Sequence, residues 1–84
     1  MRIDCKTYLE VDEIDHITIR CRRGEPLDRK KAIGMIKHYA ACNEAVKAAF
    51  AGIDVSLSAL EAAPDKAIYD MLIRTRTALI DTVL

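Results

Sequence analysis

The chain has no tryptophan, one phenylalanine and three tyrosines among 84 residues, too few rings for the successive base stacking that single-stranded nucleic acid binding uses. It also lacks an excess of either charge. Thirteen Lys+Arg stand against thirteen Asp+Glu, whereas binding a bulk polyanion favours a clear basic surplus. Its three glycines, at 24, 34 and 52, stand alone, so no glycine-rich phosphate loop exists. Glu10, Asp12, Glu13 and Asp15 form an acidic stretch without the glycine and spacing of a calcium loop. Apolar runs fall far short of the about 18 residues of a membrane span, and no basic-then-apolar leader opens the chain. These absences predict a cytoplasmic protein with no membrane partner. Cys5, Cys21 and Cys42 are odd in number and lack C-x-x-C spacing, which fits reduced thiols better than a disulfide framework.

Half the residues are apolar, 51%, which excludes a disordered tail. The length predicts a single domain over 1–84 with one core and a total stability of about 4–13 kcal/mol. Residues 1–23 alternate. Ile3, Cys5, Thr7, Leu9 and Val11 fall on one side, and Ile17, Ile19 and Cys21 repeat the pattern after the acidic stretch. The pattern predicts an antiparallel β-hairpin whose loop centres on Glu13, pairing Leu9 with Ile17, Thr7 with Ile19 and Cys5 with Cys21. No Asn-Gly or Asp-Gly pair is present, so a loop of three to five residues is expected.

The helical part is predicted over 27–84. Gly24-Glu25-Pro26 ends the second strand, with Pro26 in the first turn of a long helix running to Gly52, where a left-handed cap is expected. Ser58 and Glu61 have capping-box spacing and predict a short helix over 55–63 with Leu57 and Leu60 pointing inward. Pro64-Asp65 opens a second long helix with Ile68, Leu72, Leu79 and Val83 on its apolar face and Lys66, Asp70 and Arg74 opposite. The expected fold class is thus α+β, of ββααα order. A lone two-stranded ribbon is marginal and leaves its edges unpaired. A homodimer that completes the sheet is therefore expected, and the apolar chain end of Leu79, Ile80, Val83 and Leu84 points the same way.

Neutrality overall hides an uneven distribution. The acidic stretch carries four negative charges, while Arg20, Arg22, Arg23, Arg29, Lys30 and Lys31 outnumber Glu25 and Asp28 by four between residues 20 and 31. Guanidinium forks and a helix N-terminus could grip phosphate oxygens there; a solvated, aggregation-resistant strand edge explains the same residues. Opposite blocks also suit pairing between copies. Asn43 and Arg76 interrupt the apolar lines of the two long helices. They either fix register and reach solvent or an acid of another chain, or line a cleft for an anionic ligand with Arg20 or Arg22. Cys5, Cys21, His38 and Cys42 form a conceivable zinc set, but burial of small apolar thiols explains their positions equally. No metal or other cofactor is therefore expected. Cys42 with His38 lacks oxyanion donors and an orienting carboxylate, so no enzyme is expected.

Ile17-Thr18-Ile19-Arg20 ahead of a helix resembles the strand of the ribbon-helix-helix DNA-binding dimers in that tetrapeptide. The resemblance implies a dimer that binds DNA. A first helix without a break before Gly52 and the missing basic surplus set that function third. First stands a non-enzymatic protein-interaction module, an inhibitor or adaptor that acts as a homo-oligomer by occupying a partner surface. Second stands an oligomeric binder of an anionic small ligand or nucleotide through Arg20, Arg22, Arg23, Arg29, Lys30, Asn43 and Arg76.

Overall fold

Between residues 5 and 23 the sequence contains no glycine, proline or asparagine, and that stretch folds as a helix, α1 (Cys5–Arg22). The computed structural model describes residues 5–83, with side chains described from Glu10 to Asp81. The hairpin expectation is corrected: no strand forms among the described residues, and the fold is all-helical rather than α+β. The sheet that dimerisation was to complete falls with it. Residues 1–4, where the first strand was expected to begin, lie outside the described residues.

Backbone satisfaction explains the outcome. A helix closes its own hydrogen bonds, whereas an isolated ribbon leaves two edges open. The apolar pattern also fits the helical period. Val11, Ile14, Ile17, Thr18 and Cys21 share one face, with Ile14 0%, Ile17 6% and Thr18 1% exposed. Ile19, which alternation placed inward, stands 42% exposed. Gly24 terminates α1 in the left-handed conformation, φ 90°. Its N–H donates to the Cys21 carbonyl and the Glu25 N–H to the Arg20 carbonyl, both at 3.0 Å, the paired bonds of a Schellman cap.

The long helix expected up to Gly52 is two. These are α2 (Arg29–Cys42) and α3 (Glu44–Ala49), separated by Asn43 in extended conformation. Asn43 ends one helix and starts the next. Its N–H donates to the Tyr39 carbonyl at 2.9 Å, and its Oδ1 accepts from the Val46 N–H at 3.1 Å. Capping, rather than register or a ligand, accounts for this polar residue on an apolar line. Asp28 caps α2 by accepting from the Lys31 N–H, so Pro26 precedes the cap instead of occupying the first turn. Gly52 takes the expected left-handed conformation, φ 80°.

Helix α4 (Leu57–Ala62) is capped by Ser56 rather than Ser58, which overturns the Ser58–Glu61 box. Leu60 is fully buried as expected, but Leu57 is 50% exposed. Helix α5 (Asp65–Val83) packs against α1, α2 and α3, while α4 leans on α2. Ile68 and Leu72 on α5 meet Ile14, Ile36, Val46 and Leu60 in one cluster. The buried hydroxyls of Thr18 and Thr75 donate to the carbonyls of Asp15 and Met71, which offsets their desolvation. Leu79, part of the apolar chain end expected to need a second copy, is buried within the chain at 1% exposure. The Val83 and Leu84 side chains lie outside the described residues. The backbone spans 37 × 31 × 14 Å, and the short dimension equals two helices packed about 8–10 Å apart. No helix among the described residues is long and apolar enough to cross a membrane.

Candidate functional site

Arg76 and Arg22 set an antiparallel register between α5 and α1. Arg76 Nε donates to Asp15 Oδ1 at 2.5 Å and Arg22 Nε donates to Tyr69 Oη at 3.0 Å. Each helix advances seven residues between these contacts, in opposite directions. Arg76 thus meets its acid within the chain, not on a neighbouring one. The Tyr69 hydroxyl holds the Arg22 guanidinium above its ordinary range.

Among the described residues Arg29 is the most heavily engaged cation. Its Nη2 donates to the carbonyls of Leu60 (3.2 Å), Glu61 (3.1 Å) and Ala63 (2.7 Å), and its Nη1 pairs with Asp65 at 2.6 Å. These carbonyls close α4, where the dipole is negative and a helix leaves its last carbonyls short of partners; only that of Leu60 among the three also accepts a backbone N–H from the described residues, that of Ala63. One guanidinium therefore stitches the start of α2 to the end of α4 and the start of α5. Arg29→Lys is expected to lower stability by about 1–2 kcal/mol, because a single ammonium nitrogen cannot reach the α4 carbonyls and Asp65 together as the two guanidinium nitrogens do. Asp65→Ala should change it by less than about 1 kcal/mol, since that carboxylate is largely exposed. Urea midpoints at unchanged slope measure both; equal losses would show that the ion pair, not the carbonyl fork, is what matters.

The remaining predicted cations scatter. Arg20 donates through Nε and Nη2 to Glu25, both at 3.3 Å. Arg23 and Lys30 are exposed, with no side-chain hydrogen bond or ion pair among the described residues. Three clefts divide the set. Arg22 lies in one of about 340 Å³ beside Leu27 and Tyr69, and Arg20 in one of about 290 Å³ with His16 and Lys31. Arg29 and Lys30 border a groove of about 440 Å³ between α2 and α4. Neither Asn43 nor Arg76 lines any of the three. The arginines expected to form one anion site therefore face different clefts, several already satisfied by the chain itself.

No family model, curated protein or solved structure matches the chain. Its surface chemistry stands on its own geometry.

The thiols scatter as well. Cys21 is half-buried on α1, while His38 and Cys42 are exposed on α2 with Nε2 and Sγ 3.6 Å apart. The Cys5 side chain lies outside the described residues. Among the described residues no three His, Cys, Asp or Glu side chains gather where a metal could sit.

The α2–α4 groove is the feature that sequence reasoning missed. Ile33, Gly34 and Leu57 floor it, Lys30 and Lys37 stand on its α2 rim, and Glu61 stands on the α4 side. One signal was present in the sequence: Gly34 sits mid-helix, where glycine weakens a helix and calls for a packing reason.

Proposed function

We propose that the chain is a non-enzymatic protein-interaction module that dimerises, each copy seating the outward face of α1 in the α2–α4 groove of the other. Gly34 carries this reading. Glycine inside a helix costs about 0.5–1 kcal/mol relative to alanine, and a Cβ at this position would meet nothing within 4 Å. Among the described residues nothing requires the missing side chain; close approach of a second copy would.

The occupant follows from apolar exposure and charge. Ile19 and Leu57 are the two large hydrophobic residues that stand exposed among the described residues. Ile19 lies on an outward face with Asp12 and Glu13 at one end and Arg20 and Arg23 at the other. The groove offers Lys30 and Lys37 on one wall and Glu61 on the other, so the signs complement. Complementary charge fixes partner and register, and reciprocal exchange across a two-fold axis closes the assembly. The anionic-ligand reading has less support, because Arg29 and Arg76 are spent on intrachain contacts.

Sedimentation equilibrium of the full chain tests the proposal. Wild type is expected to dimerise at micromolar concentration, and Leu57→Asp to weaken the dimer roughly tenfold or more. Gly34→Ala should act with opposite signs. It is expected to raise the melting temperature of the dilute chain by about 2–8 °C while weakening the dimer. A wild-type monomer, or a Gly34→Ala variant that dimerises as well as wild type, would overturn the reading.

A further inference from the structure

We propose that His38 and Cys42 form a two-donor site for a thiophilic divalent cation, zinc foremost, on the outward edge of α2. The two residues are four apart and share a helix face. Both are exposed, and Nε2 lies 3.6 Å from Sγ. Tetrahedral zinc with Zn–S of about 2.3 Å and Zn–N of about 2.0–2.1 Å spans an S···N edge of about 3.5 Å. The donors already stand one tetrahedral edge apart, so binding needs no rearrangement of the helix.

The imidazole stands edge-on to Tyr39, with ring centroids 5.1 Å apart and planes at 70°. On binding, the thiol releases its proton to solvent and coordinates as thiolate, while the imidazole binds through Nε2 in its neutral form. Two of the four positions remain open to water. Cys21, on α1 in a separate cleft, takes no part, unlike in the four-residue set suggested by the sequence. Neither His38 nor Cys42 lines the α2–α4 groove, although Gly34 stands one turn before His38 on the same face.

A thiol–imidazole hydrogen bond fits the same separation, and metal titration distinguishes the two. Cobalt(II) is the probe, added to the metal-free, reduced full chain. The expected result is a thiolate-to-cobalt charge-transfer absorption that saturates at one cobalt per chain and is displaced by zinc. Cys42→Ser should abolish it, His38→Ala should weaken binding roughly tenfold or more, and Cys21→Ser should leave it intact. Each substituted position is at or near the surface, and circular dichroism verifies that the variants fold. Absorption that survives Cys42→Ser, is indifferent to His38→Ala, or saturates at one cobalt per two chains would overturn the site. Dimerisation is measured in metal-free buffer, so failure of either proposal leaves the other to its own result.

Discussion

Proline at position 13 is expected to destabilise the chain by about 3 kcal/mol or more. Glu13 lies well inside α1, eight residues from its first position. Proline there removes the N–H that donates one turn back, and its ring collides with the carbonyl it would have faced. The damage falls where α1 begins to dock, since Ile14 and Ile17 follow at 0% and 6% exposure. Against a total of about 4–13 kcal/mol, the melting temperature should drop by roughly 12 °C or more, with loss of helical circular dichroism. Glu13→Ala is the control. The side chain is exposed and alanine favours helix, so a change within about 0.5 kcal/mol is expected. Were residues 1–23 a hairpin turning at Glu13, proline would sit in a loop and be tolerated. Coincident melting curves for Glu13→Pro and wild type would therefore restore the hairpin and remove α1.

That test bears on the one place where the sequence supported two periods at once. Ile17 and Cys21 satisfy both alternation and helical spacing, and only Ile19 against Ile14 separates them. The decisive signals were punctuation. Gly24 followed by Pro26, with Arg20 and Arg22 in the preceding turn, is the ending of a helix, and the basic side chains complement its negative terminus. Taken as a strand end, the same residues hid α1. The acidic block accordingly lies in the middle of α1, and the basic block divides between the last turn of α1 and the first turn of α2, rather than forming a loop and a strand edge. By contrast, α5 was legible because Pro64-Asp65 marks its start and Ile68, Leu72 and Leu79 keep one face.

Sites were legible only where their cause was local. Asn43 before Glu44 is ordinary N-cap chemistry, readable once a break in the apolar line is taken as a boundary. Arg29 could not be read. Its four partners lie 31 to 36 residues away, and nothing beside it in the sequence announces that the end of α4 will arrive there. Arg76 and Asp15 are further apart still, 61 residues. Their pairing became visible only when α1 became a helix, because a hairpin loop would have placed Asp15 away from α5.

Leu72→Ala carries the other large expected effect, a loss of about 3–5 kcal/mol. Leu72 is fully buried on α5, the helix that packs against α1, α2 and α3. A cavity there opens between elements already fixed by one another, so little collapse can fill it, and the lost transfer energy and the cavity term both count in full. The lower end of the predicted stability range would then be used up, leaving a measurable unfolded population at 25 °C. Leu60→Ala makes the same chemical change at a site equally buried. Its helix is only six residues long and leans mainly on α2, so α4 can settle inward and the loss should be nearer about 2 kcal/mol. Amide exchange separates the two further. Leu72→Ala should lower protection in α1, α2, α3 and α5 together, because they share that contact, whereas Leu60→Ala should lower it mainly in α4 and the adjoining turn of α2. If both substitutions reduced protection uniformly and by equal amounts, α5 would not be the element that couples the others.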